Sequence, residues 1–219
     1  GFDKSFSSFI NLNNSSSIQN GSATSPVTAT LTTPLNAVFS YGGTFKDGAT
    51  QPLNVTINQS GPLAAMTLAG DSTAWTGNFT NNGGTLTVAS SAGRLGPANL
   101  ASRTLAFNNC TFNLSPNNAW SGGGAQATMV LNNGTLNCTR YNSFGPFVLN
   151  GSTLTGNMAG SDSAYYAQYN LTGGKVTVIG STPSTMAGTD NGTADSRGYN
   201  LQTPTVFDVS VVTSSSPLS

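Results

Sequence analysis

The sequence predicts an all-β fold: a parallel β-helix, or β-solenoid, with coils of about 18–26 residues. Three observations carry that expectation. Val, Thr, Leu, Phe and Tyr recur in short alternating bursts between Gly and Asn, the pattern of half-buried strands joined by polar turns. The segment NNCTFNL at 108–114 returns 24 residues later as NNGTLNC at 132–138, with four of seven positions identical. Charged residues make up only 6% of the 219-residue chain, against about 25% in an ordinary globular protein. Stacked coils place like positions on top of one another, and rows of like charge would repel, so neutral outward residues suit this fold.

Looser copies of the repeat are NNGGTLTV at 81–88, LNGSTLT at 149–155 and LTGGKVTV at 171–178. Their central apolar residues, Leu86, Phe112, Leu136, Leu154 and Val176, stand 26, 24, 18 and 22 residues apart, and Leu68 precedes Leu86 by 18. Strands are expected at 27–32, 53–59, 64–69, 84–89, 103–107, 110–115, 126–131, 134–139, 146–149, 152–155, 165–171, 174–179 and 205–212. Asn and Gly belong at the corners because both tolerate positive φ. An antiparallel β-sandwich is the alternative, since it also shows short strands at regular spacing. The likeness among the repeats favours the solenoid, because sandwich strands need not resemble one another.

Two regions depart from the repeat. Residues 1–26 read as an N-terminal arm: Phe2, Phe6, Phe9 and Ile10 fall on one face of a helix, a candidate cap over the sheet end, and 11–26 are Asn, Ser and Gly-rich. The solenoid body spans 27–219, with loop excursions expected at 156–164 and 180–204. The second carries Pro183, Asp190-Asn191-Gly192 and Gly198, all turn formers.

The composition excludes whole classes of chemistry. There is no histidine and no glutamate, so Ser-His-Asp triads, histidine metal sites and Glu/Glu glycosidase pairs are absent. The seven Lys plus Arg balance seven Asp, which leaves no basic footprint for nucleic acid. No apolar run reaches the length of a membrane span. Asp162, Asp190 and Asp195 are too sparse for calcium and read as turn residues. Arg94, Arg103 and Arg140 have no acid beside them in sequence and read as solvated coil-edge residues. No catalytic set, metal or cofactor is expected.

The stretch at 68–114 is similar to the autotransporter-associated β-strand repeat: Trp75-Thr76-Gly77, Gly83-Gly84-Thr85-Leu86 and Leu95-Gly96 match its successive elements, and TVFDVS at 205–210 resembles a phrase that follows it. What the resemblance implies is a right-handed parallel β-helix, the passenger region of a bacterial surface or secreted protein. The chain lacks the C-terminal barrel of a full autotransporter, so a released or excised passenger, or a surface protein anchored differently, is expected. It would be non-catalytic and extracellular, serving adhesion or display toward host or matrix glycans or proteins. The alternative is a subunit that self-assembles into a surface filament or layer by strand addition, with copies of itself as partners.

Candidate ligand-binding residues are the aromatics near turns and loops: Trp75, Trp120, Tyr165, Tyr166 and Tyr169. Thirteen N-x-S/T sequons occur, and Asn54, Asn78, Asn133, Asn150 and Asn191 are candidate glycosylation sites. Aligning the repeats puts Cys110 at the position of Gly134 and Cys138 at that of Leu114. In adjacent coils that separation is too long for a disulfide, so both are expected as unpaired buried thiols.

Overall fold

The structure, a computed structural model, describes residues 4–6, 16–89, 95–97, 99–116, 119, 127–155, 169–187, 199–201 and 205–209. Among them there is no helix, and every strand pairs in parallel with the equivalent strand one coil away. The protein is a parallel β-solenoid.

The first face is a nine-stranded sheet. It runs β1 (Lys4–Phe6), β3 (Val27–Thr32), β6 (Leu53–Asn58), β8 (Phe79–Asn82), β10 (Thr104–Asn108), β12 (Thr128–Asn132), β15 (Phe147–Asn150), β18 (Lys175–Val178) and β21 (Val206–Val209). The second face has seven strands: β4 (Val38–Tyr41), β7 (Ala65–Leu68), β9 (Thr85–Val88), β11 (Thr111–Leu114), β13 (Thr135–Cys138), β16 (Thr153–Thr155) and β19 (Thr185–Met186). A third face is short and interrupted. β2 (Ser17–Gln19) pairs with β5 (Thr44–Lys46), and β14 (Asn142–Phe144) leads to β17 (Tyr169–Leu171) and β20 (Tyr199–Leu201).

Alternation along each strand sets which side chains face in. In β3 and β6 the burial pattern alternates strictly, with Leu31, Val55 and Ile57 fully enclosed and the intervening Thr and Asn half-exposed. Period two on a pleated strand produces this, and stacking turns each inward position into a column. One column on the second face is Met66, Leu86, Phe112, Leu136 and Leu154. Each of these side chains is at most 1% exposed, worth about 2 kcal/mol apiece in burial. Corners between the first and second faces use Asn109 (φ 51°) and Asn133 (φ 50°), and Gly83 and Gly84 in the coil before them, where the chain must turn through the left-handed region.

The register confirms the 24-residue repeat: Phe112 stands beside Leu136, and Leu114 beside Cys138. It also corrects three assignments. Val176 lies on the first face beside Phe147, and the residue that follows Leu154 in its column is Met186. Leu68 pairs with Val88, whereas Leu86 pairs with Met66. Coil lengths exceed the expected 18–26 in the last turns, reaching 29 residues from Phe147 to Val176 and 31 from Val176 to Phe207.

Of the expected helical face in the arm, Phe2, Phe9 and Ile10 lie outside the described residues. Residues 4–6 form a strand that extends the first face, not a turn of helix, and 17–19 enter the third face. Sheet pairing satisfies the backbone of these short segments without any need for helical propensity, which the serines lack. The expected excursion at 180–204 is likewise divided, because β19 and β20 return to the body. Residues 156–164 and 188–198 lie outside the described residues.

Candidate ligand groove

Two outward rows flank the start of the first-face strands. One row is Pro52, Thr76 and Ser102; the other is Asn54 and Asn78. Between them runs an inward row, Leu53, Gly77 and Arg103. Above this inward row, a groove of about 300 Å³ lies between the two outward rows, with Leu100 also in its lining. A Cβ on Gly77 would fall 1.7 Å from the Leu53 carbonyl oxygen, so the close approach of these coils requires glycine.

Beneath the groove the packing is unusual. Arg103 is 2% exposed. Its Nε donates to the Gly77 carbonyl at 2.8 Å and its Nη1 to the Pro97 carbonyl at 3.1 Å, while its Nη2 has no partner. The guanidinium carbon lies 4.6 Å from the centre of the Trp75 ring. Burial pushes the guanidinium down to about 10, and the Asp47 carboxylate opposes that shift, so the group is charged at neutral pH. Asp47 is itself engaged: Oδ1 accepts from the Leu53 amide, and Oδ2 from the Thr76 amide and hydroxyl at 2.8 and 2.7 Å.

The two asparagines are held by the next coil. Asn54 Oδ1 accepts from the Asn78 amide at 3.0 Å, and Asn78 Oδ1 from the Thr104 amide at 2.8 Å. Each carboxamide oxygen is thus tied to the backbone of the next coil, which fixes the side chain at the groove. No lining side chain is charged, so the surface offers hydrogen bonds and apolar contact rather than proton transfer.

The aromatic candidates fare differently. Trp75 is fully buried, its Nε1 donating to the Leu53 carbonyl and its ring packed between Phe45, 5.0 Å away, and Phe79 at 6.0 Å. The coil from β7 to β8 has no third-face strand, and Trp75 fills that corner. Tyr169 is also fully buried, 5.2 Å from Phe144 and 4.9 Å from Tyr199, with its hydroxyl between the Leu136 and Thr155 carbonyls. Neither can meet a ligand at the surface. Trp120, Tyr165 and Tyr166 lie outside the described residues, as do Arg94, Asp162, Asp190, Asn191 and Asp195. Arg103, expected at a solvated coil edge, is instead buried, because its place in the strand alternation faces inward and its guanidinium packs over the Trp75 ring.

Of the sequon asparagines, Asn78 and Asn133 are exposed, and Asn54 and Asn150 are half-buried. Asn133 Nδ2 donates to Asn109 Oδ1 at 3.4 Å. Both cysteines are buried and are not joined in a disulfide. Burial pushes the Cys138 thiol up to about 12 and raises Cys110 as well, so neither is a nucleophile at neutral pH. Among the described residues no three of His, Cys, Asp or Glu gather to hold a metal, and no helix is long and apolar enough to cross a membrane.

The groove residues do not stand out in the sequence. In the sequence Asn54 and Asn78 read only as sequons, and the signal that could find them is the Thr76-Gly77-Asn78 step, a glycine between two outward polar positions. The fold and groove define a parallel β-solenoid with a polar, charge-poor lateral surface, on which Lys175 and Asp208 form an exposed ion pair at 3.2 Å. No family model, curated protein or solved structure matches the chain.

Proposed function

We propose that this protein is a non-catalytic extracellular surface element, a stiff solenoid serving adhesion or display. The observation that carries the reading is the charge-poor, cross-linked outer surface. Asn58, Asn82, Asn108 and Asn132 form a ladder in which each carboxamide donates to the one before, at 2.7 to 2.8 Å. A second row joins Thr87, Asn113 and Asn137. Such ladders stiffen a stack and keep their rows polar without charge. The similarity of 68–114 to the passenger repeat supports the same reading, with host or matrix glycans or proteins as partners.

A second reading is end-to-end assembly with copies of itself. It is favoured by the last described coil, where Phe207 and Val209 continue inward columns of the first face yet are 50% and 54% exposed. Electron microscopy over a range of concentrations tests both. Short single rods that retain glycan or matrix-protein binding support display. Regular filaments whose length grows with concentration transfer the function to assembly.

A further inference from the structure

We propose that the groove above Gly77 is a binding site for a neutral oligosaccharide, an inference that rests on the adhesion or display reading and assigns it a place and a ligand class. The chemistry of the walls selects the ligand. Asn54 and Asn78 line the groove one coil apart, a step of about 4.8 Å, and each carboxamide carries N–H donors while its oxygen is tied to the Asn78 or Thr104 amide. The Ser102 hydroxyl, on the third coil, is exposed and both donates and accepts. Thr76 donates its hydroxyl hydrogen to Asp47 and so meets a ligand as an acceptor. Pro52 and Leu100 add apolar surface for the C–H faces of a sugar ring. Donors, acceptors and small apolar faces interleaved at this spacing match a polyol.

Other ligand classes fit less well. An anion would find no charged side chain in the lining, since the guanidinium of Arg103 is covered. A peptide adding as a strand would find no free edge, because β6, β8 and β10 are each paired on both sides. The volume, about 300 Å³, lies at the low end for small-molecule sites and suits one or two sugar rings with the rest of the chain lying along the coils. The walls are also fixed before any ligand arrives: Arg103 ties Gly77 to Pro97, and Asp47 ties Leu53 to Thr76. Preformed walls reduce the ordering cost of binding.

The test is two-dimensional amide NMR of the folded chain. It is titrated with short neutral hexose and N-acetylhexosamine oligosaccharides, and with their sulfated and uronic-acid counterparts as anionic controls. The expected result is saturable shifts at Asn54, Thr76, Asn78 and Ser102 with neutral sugars and smaller ones with the anionic series. Asn78→Asp keeps the oxygen that caps Thr104 and removes the donor, and it should weaken binding about tenfold, the loss of one hydrogen bond of about 1.4 kcal/mol. Ser102→Tyr, at an exposed position, should fill the groove and abolish the shifts while leaving the core resonances in place. If a neutral sugar binds but shifts other residues, or if Asn78→Asp and Ser102→Tyr bind as the wild type does, the groove inference is overturned and the display reading stands. If no oligosaccharide shifts any resonance, the groove inference also falls, and binding to matrix proteins decides the display reading separately.

Discussion

Arg103 stacks its guanidinium over Trp75, 4.6 Å from the ring centre, and both side chains are buried within the solenoid. A charged group in that position is costly unless its donors are met. Two of its nitrogens are met by the Gly77 and Pro97 carbonyls, the aromatic face receives the cation, and Asp47 lowers the cost of the charge. Arg103→Ala should lower stability by about 3 kcal/mol, from the lost stem, the lost bonds and the cavity beside Trp75. Arg103→Met keeps most of the volume and removes the charge, so it should cost about half as much. Urea unfolding at constant m-value measures both. Equal losses for Ala and Met would show that the bonds to Gly77 and Pro97, not the packed stem, hold this corner.

The glycine beneath the groove gives a sharper contrast. A side chain at Gly77 meets the Leu53 carbonyl, which is backbone and cannot swing aside, whereas a Cβ at Gly21 meets nothing within 4 Å. Gly77→Ala should therefore destabilise by on the order of 3 kcal/mol. Gly21→Ala should be neutral or stabilise by up to about 1 kcal/mol, through the unfolded chain. Thermal melts of the two variants side by side would sink the close-approach argument if they shifted alike.

The solenoid was legible because stacking writes itself into sequence. NNCTFNL and NNGTLNC occupy equivalent corners and strands, and their 24-residue offset is the register between β11 and β13. Long alternating strands such as 27–32 were equally plain. The missed strands have different causes. β5, β14 and β20 are three residues long, too short to alternate visibly, and β8 reads Phe-Thr-Asn-Asn, where buried Asn81 takes an inward place normally apolar. Arg103 and Trp75 were misplaced for a shared reason. Alternation does place both inward, Trp75 with Gly77 and Phe79, and Arg103 with Leu105 and Phe107, but a charge and an indole next to turns read as surface residues until the stack of coils reveals the corner they fill. The groove was invisible because it is made by three coils together.

The asparagine ladder should behave as a coupled row. Asn108 both donates to Asn82 and accepts from Asn132, whereas Asn58 only accepts from Asn82. Asn108→Ala should cost about 1 to 1.5 kcal/mol and Asn58→Ala about half that, because water partly replaces the lost partners at these half-buried positions. The double variant Asn82→Ala with Asn108→Ala should cost less than the two singles added, since they share a bond. Strict additivity in denaturant unfolding would remove the ladder from the account of stiffness.

Stability should also fall at alkaline pH, well before any exposed group would explain it. Burial raises the Cys138 thiol from 9.0 to about 12 and the Tyr41 phenol from 10.0 to about 12, and it raises Cys110, Tyr169 and Tyr199 in the same direction. Above pH 9 the unfolded chain releases its thiol protons while the folded chain keeps them, so the unfolded state gains. The stabilisation is complete below pH 9 and is lost progressively toward pH 12, by about 1.4 kcal/mol per pH unit for each thiol that differs fully. Arg103 works in the opposite sense, but only as pH passes about 10, which leaves the interval from 9 to 10 to the thiols. Urea midpoints taken at steps across that interval should decline for the wild type and decline less for Cys138→Ala. A flat profile in the wild type would mean that Cys138 ionises in the fold as readily as in the open chain, which its complete enclosure beside Asn142 and the Arg140 carbonyl argues against.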